Sequence, residues 1–454
     1  MSPRLESARR QLLAVTALAS ALLLPRPAAA VTSAQDSVPL PPETHISYYF
    51  DAFDNGVSRP ISRVLDPSRL VRKLTGNPRE AVNVDDQDRV RLPSTWWQPR
   101  LGYKPMSTED LLTGPGPGTG PAPGKWTVTK SKTGGVSKGF QMKDAKGDRF
   151  AIKFDPEDFP ELSSSADVVA SKIYWAAGYN VPDNSIAYFR REDLEIGKDA
   201  THTLAGKKVP ITQEFIDSLL RDVPEQADGR YRVVASRFLK GKPLGEWRYE
   251  GRRDADIEDL IPHQLRRELR GLYAINAWVN HTDCSARNTL DMYVTDGGRS
   301  FVRHHLLDFS GCLGSASIAP QPLRSGHEYW ADYRTMASSL VTLALPPYEW
   351  ESSVDPGLPS VGFIESQTFD PGDWRPYLQN PALDERTERD IKWGARIVAA
   401  FTDEHIRAAV ETGRYSDPRA TEYLVRVLGE RRDKIVKRWL TPDEVAAVRR
   451  SSEE

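Results

Sequence analysis

Cysteine is nearly absent from this 454-residue chain, which holds only Cys284 and Cys312. Two cysteines do not make the disulfide framework on which small secreted domains depend. No Cys-x-x-Cys pair or His/Cys cluster offers a zinc ligand set, and whether the two thiols pair is left open by the sequence. The nearest metal-like pair is His304-His305. It falls in a strand-like run, where adjacent side chains point to opposite faces, so joint ligation is not expected. Long apolar runs are also scarce. A membrane-spanning helix needs about 20 apolar residues, and no stretch after residue 24 reaches that length. Neither sign of charge dominates, since 61 Lys and Arg stand against 63 Asp and Glu, a net charge of −2. Residues 1–30 carry four Arg and one Glu, which leaves the other 424 residues near −5. That balance gives no global basic field, so nucleic acid is not an expected partner.

What is present begins with a targeting pattern. Arg4, Arg9 and Arg10 form a basic start, Leu12 to Leu24 is an uncharged run of thirteen residues, and Ala28-Ala29-Ala30 supplies small residues for cleavage. The run is too short for a membrane anchor. Residues 1–30 are therefore expected to be a cleaved export signal, placing the mature chain in a periplasm or outside the cell. Arg9-Arg10-Gln11-Leu12-Leu13 is also a partial match to a twin-arginine signal. Residues 31–125 read as an extension that packs on the main domain and ends in a Pro/Gly linker, Gly114 to Gly124. That linker superficially resembles a phosphate-binding loop, but Pro115 and Pro117 remove amide donors such a loop uses.

After the linker the texture changes. Trp126–Lys130, Phe140–Lys143 and Arg149–Phe154 alternate as strands around glycine turns and predict an antiparallel meander. Ser163–Ser165 can cap a helix from about Ala166 to Ala177, closed by Gly178. Val233–Phe238 reads as a further strand and residues 239–245 as a loop. In Pro262–Val279, Leu265, Leu269, Leu272, Ile275 and Val279 recur at helical spacing. A loop over 280–288 follows, then strands near Leu290–Val294 and Phe301–Leu307. From about residue 327 the chain reads as mostly helical, notably over 384–401, 403–412 and 418–439. Strands first and helices afterwards predict an α+β fold.

The chemistry lies in an ordered series of residues. Asp283 and Asn288 are five apart in a loop after a long helix, and Asp308 follows a strand and precedes Phe309-Ser310-Gly311. Phosphoryl transfer asks for a carboxylate to orient the attacking hydroxyl and hard oxygens to hold a divalent metal against phosphates. Lys153 on the third strand offers a cation for those phosphates. Asp167 can brace the lysine, with Glu161 as a competitor. Each of these residues taken alone has an ordinary reading as a surface charge or turn former. Their joint order is the signal.

In that order the chain resembles divergent branches of the protein-kinase-like superfamily, such as HipA-like, CotH-like and secretory-pathway kinases. The specific motifs span about residues 126–315. The resemblance implies a two-lobed fold, with a small antiparallel-sheet N-lobe over 126–240 and a mostly helical C-lobe over 241–454. It implies ATP in the cleft with Mg²⁺, Lys153 on phosphate oxygens and Asp167 bracing it. Asp283 would be the catalytic aspartate, Asn288 and Asp308 the metal ligands. Gly134, Gly135 and Gly139 would cover the phosphates. Departures accompany the likeness: Thr282 stands where ordinary kinases have Arg and Ser285 where they have Lys, with Arg287 able to supply the charge. Ser310 replaces a glycine, and no Ala-Pro-Glu motif follows. Arg252-Arg253-Asp254 and Arg266-Arg267-Glu268 read as a structural ion-pair group. The function so implied is a phosphotransferase acting on a protein or small-molecule hydroxyl. Two other readings stay open: a non-catalytic nucleotide-binding scaffold, favoured by the scarcity of ATP outside the cytoplasm, and nucleotidyl transfer from ATP.

Overall fold

The computed structural model describes residues 37–132, 135–204, 206–342 and 347–453. The export signal expected over residues 1–30 and the loop residue Gly134 lie outside the described residues.

The meander forms as its alternation predicts. Trp126–Ser131 (β1), Gly139–Lys143 (β2) and Arg149–Phe154 (β3) pair antiparallel, with Gly139 opposite Lys153. Asp144 shapes the β2–β3 turn, its carboxylate accepting from the amides of Lys146 and Asp148, both at 2.9 Å. The sheet is larger than the sequence indicated. Asn184–Phe189 (β4), Leu194–Leu204 (β5), Lys207–Pro210 (β6) and Tyr231–Arg237 (β7) extend it to the order β4-β7-β3-β2-β1-β5-β6. All pairs are antiparallel except β1 with β5. On β5 and β6 few residues are buried and the side chains are largely polar. With no apolar face to alternate, these strands leave little trace in the sequence. Trp126, Phe140, Phe154 and Phe189 fill the sheet's core, closed by Ile216 and Leu220 of the helix Gln213–Arg221.

Helix α1 (Leu162–Ala176) stands between the lobes. Its start corrects the expected serine cap, because Ser163–Ser165 lie inside the first turn. Asp155 supplies the cap instead: its carboxylate accepts from the Ser164 amide at 2.8 Å and from the Ser163 and Ser164 hydroxyls at 3.0 and 2.6 Å. A carboxylate suits the positive end of a helix. Val168 packs on Ile186 and Val234 of the sheet, whereas Val169, Ile173 and Tyr174 belong to the core of the helical lobe.

That lobe is built on α2 (Arg267–Val279), α3 (Glu388–Ala400), α4 (Asp403–Glu411) and α5 (Pro418–Trp439). The residues Pro262–Arg266 ahead of α2 form a 3₁₀ turn rather than its first turn, and the Arg267 amide donates to the Asn83 side chain at 2.8 Å. A second sheet joins Lys242–Gly245 (β8), Thr289–Asp296 (β9) and Arg299–Leu306 (β10) in the order β10-β9-β8. Strand β8 replaces part of the loop expected over 239–245. Among the described residues of 327–380, helix is confined to Tyr333–Thr342 and the turn Glu349–Ser352, against the expectation of a mostly helical stretch. The prolines at 356, 359, 371 and 376 explain the difference, since each removes an amide donor.

Residues 37–125 pack along both lobes. The Val38 amide donates to Ser300 and that of Thr44 to Leu244, each at 2.7 Å. Trp96 stacks on His304 with ring centres 3.5 Å apart, and the Trp97 indole donates to the Ala177 carbonyl at 2.8 Å. His304 pairs with Asp291 at 2.6 Å while His305 meets the Arg303 carbonyl, so the two imidazoles have separate partners. Arg253–Asp291, Arg266–Asp259 and Arg267–Asp390 are buried ion pairs at 2.6, 2.9 and 2.9 Å. No described helix is long and apolar enough to cross a membrane.

Candidate active site

Lys153 emerges near the C-terminal end of β3 toward α1. Its Nζ lies 3.0 Å from Asp167 Oδ2 and 2.8 Å from Asp308 Oδ1. The lysine is thus gripped by one carboxylate from the helix and one from the segment after β10. Asp167 is fully buried and has two further donors on Oδ1, the Asn184 amide at 2.8 Å and the Phe309 backbone N–H at 3.2 Å. Glu161, the competitor, instead accepts from the Ser416 amide at 2.9 Å, remote from the lysine. Burial alone would pull the Lys153 ammonium down, but Asp167 and Asp308 outweigh it and hold the group above its ordinary range. Burial likewise opposes ionisation of Asp308, yet Lys153 and Ser310 hold its carboxyl below the usual carboxylate range.

Asp308 adopts a left-handed backbone, φ +54° and ψ +71°, a conformation that Asp tolerates better than most residues. The turn it begins is fastened by the Ser310 hydroxyl, which donates to Asp308 Oδ1 at 2.6 Å. Behind it the Phe309 ring stacks on Tyr174 of α1, with centres 4.7 Å apart. The Tyr174 hydroxyl donates to Asn276 at 2.5 Å and lies 3.0 Å from His281 Nδ1. Burial pushes His281 down to about 4, which keeps it neutral at ordinary pH. This layer ties α1, α2 and the Asp308 turn together beneath the site.

The loop after α2 carries the second cluster. Asn288 Nδ2 donates to the Asp283 backbone carbonyl at 2.7 Å and to Asp283 Oδ2 at 3.0 Å. Backbone pairing brings the two clusters together, since the Leu307 amide donates to the Asn288 carbonyl at 2.9 Å. Asp283, Asn288, Asp308, Gly135 and Ser137 line one cavity of about 550 Å³. Asp283 opens onto that cavity, but surrounding protein displaces bulk water from the rest of it. The lost hydration pushes its carboxyl up to about 6; the Asn288 hydrogen bond opposes this and the charge of Asp308 adds to it.

No protein-family model and no curated protein sequence matches this chain. Among solved structures it is similar to a Helicobacter pylori proinflammatory kinase, CtkA, with 11% identity. That match covers 73% of this chain and 98% of the other, at a TM-score of 0.37. It is also similar to the Golgi casein kinase, with 9% identity over 92% of this chain and 93% of that one, at a TM-score of 0.28. A Golgi casein kinase structure with Mn/ADP bound gives 10% identity over 90% and 100%, at a TM-score of 0.27. These neighbours are all kinases.

The oxygens available for a metal are few and hard. Asp308 Oδ1 is taken by Lys153 and Ser310, while Oδ2 accepts no hydrogen bond among the described residues. Asn288 turns its amide N–H toward Asp283, leaving its Oδ1 equally unengaged. One carboxylate and one amide oxygen beside an open cavity fit Mg²⁺, which keeps several waters and shares its shell with phosphates.

The glycines divide. Gly135 has φ +74° and faces the cavity. Gly139 lies within β2 instead, where a Cβ would collide with the Ile152 carbonyl oxygen. Cys284 and Cys312 are buried free thiols, and burial pushes that of Cys284 up to about 12. Three contributors are not apparent from the sequence: Asn184, Tyr174 and Asn276. Asn184 was out of reach because β4 was not recognised. Tyr174 and Asn276 lay on recognised helices, but only packing shows that they meet.

Proposed function

We propose that this chain is a kinase-like phosphotransferase that moves the terminal phosphoryl group of Mg·ATP to a hydroxyl on a protein or small molecule. The observation that carries the reading is one cavity lined by two carboxylates, Asp283 and Asp308, the second clamped to the partly buried Lys153. An ion pair serving stability alone has no need of an unengaged carboxylate oxygen facing open space.

Lys153 would hold phosphate oxygens from the sheet side, its orientation fixed by Asp167. Asn288 and Asp308 would hold Mg²⁺, which when bound offsets the charge of the phosphates. Asp283 orients the acceptor hydroxyl and accepts its proton as the oxygen attacks the terminal phosphorus. The bond from that phosphorus to the bridging oxygen breaks, and ADP leaves with the electron pair. Neutral His281 and the Phe309–Tyr174 stack keep the Asp283 and Asp308 backbones in place.

Incubation with Mg·ATP followed by intact-mass spectrometry tests the reading. Formation of ADP with a phosphate adduct on protein or added acceptor is expected. An AMP adduct would move the assignment to nucleotidyl transfer. No consumption of ATP with any acceptor, water included, would overturn it.

A further inference from the structure

Lys132 follows β1 and opens the glycine loop. Its stem lies beneath that loop: a Cβ at Gly139 would come within 3.4 Å of Lys132 Cδ, and one at Gly135 within 3.0 Å of Nζ. The ammonium donates to the Ser137 carbonyl at 2.9 Å and to the Ser137 hydroxyl at 2.6 Å. That uses two of its three donors. No carboxylate lies within ion-pair distance of it among the described residues, although the side chain is half-buried. Burial and the like charge of Lys153 push it down to about 8, opposed by Asp308 and Asp167. A half-buried cation without a paired anion is costly unless an anion arrives, and Ser137 and Gly135 beside it line the Asp308 cavity.

We propose that Lys132 is a second cationic contact for the polyphosphate of the nucleotide, approaching from the loop side while Lys153 approaches from the strand side. Two cations are needed for a physical reason. Lys153 already spends two of its three donors on Asp167 and Asp308, so one donor remains for a chain of several anionic oxygens. A side chain at Gly135 would press on the Lys132 ammonium, whereas Gly139 is required by the Ile152 carbonyl oxygen. The inference rests on the Mg·ATP reading given above.

Calorimetric titration of Mg·ATP and of adenosine into wild type, Lys132→Met and Lys132→Arg separates the outcomes. Losing one charge-assisted contact typically weakens binding by about ten- to hundredfold. That loss is expected for Mg·ATP with Lys132→Met, while adenosine binds within about twofold of wild type, having no phosphate to lose. Lys132→Arg should recover most of the loss. Equal Mg·ATP affinity in Lys132→Met and wild type would overturn the assignment. So would a parallel loss for adenosine, since it marks Lys132 as a loop tie. Failure of wild type itself to bind Mg·ATP would instead remove the parent reading, and this inference with it.

Discussion

Lys153 and Asp308 form the contact on which the site turns, and they can be tested without knowing the acceptor. Removing a charge-assisted contact costs about 1.5–3 kcal/mol. Lys153→Met and Asp308→Ala are each expected to weaken Mg·ATP binding about ten- to hundredfold, read as a reduced thermal shift. Wild-type affinity in either variant would count against its assigned role. Asp283 has a pH signature. Its carboxylate is the form that accepts a proton, and hydration lost to the surrounding protein places the carboxyl at about 6. Transfer should therefore decline as pH falls through that value and level off above it. The acid limb should vanish in Asp283→Asn, and a flat wild-type profile between pH 5 and 8, about the range over which such a group titrates, would contradict the assignment. The meeting of Lys153 with Asp308 and of Asp283 with Asn288 was legible because these residues follow a linear order: strand, long helix, loop, hairpin. Lys132 and Asn184 were not, because their relevance depends on which strands pair and on what lies under a loop.

At the scale of elements, α2 and α3 form the scaffold beneath Asp283. They cross at Gly271 and Gly394, where a Cβ on Gly394 would collide with the Gly271 carbonyl oxygen and one on Gly271 would run into the Trp393 ring. Gly271→Ala is thus expected to destabilise the protein by about 1–3 kcal/mol, the usual range for overpacking, seen as a lower denaturation midpoint. An unchanged midpoint would show that the crossing has slack. The α2 pattern was readable from its apolar spacing, which α2 and its neighbours obey. The start of α1 differs from the expectation because a run of serines suits a cap equally well and Asp155 lies eight residues before the first of them. Strands β5 and β6 leave little trace for want of an apolar face, whereas β4 does bury Ile186, Ala187 and Phe189, and prolines interrupt the segment expected to be helical.

For the whole molecule, segregation of strands from helices was apparent in the sequence. The way residues 37–125 spread over both lobes was not, because Trp96 and Trp97 find partners at His304 and Ala177, far along the chain. Export remains a proposal drawn from the basic start, the apolar run and Ala28–Ala30. The native protein should have a mass beginning at Val31, and full-length protein recovered from the cytosol would refute it. The central claim is that the cavity transfers a phosphoryl group and that Asp283 is its base. The most direct measurement compares wild type with Asp283→Asn, following Mg·ATP binding and product formation in parallel. The substitution preserves size and hydrogen bonding but removes the negative charge. Transfer is expected to fall by about 10²–10⁴-fold, the usual contribution of a general base, with Mg·ATP affinity nearly unchanged because Asp283 faces the acceptor. Equal transfer rates in the two proteins, or no transfer by wild type to any acceptor including water, would contradict the account.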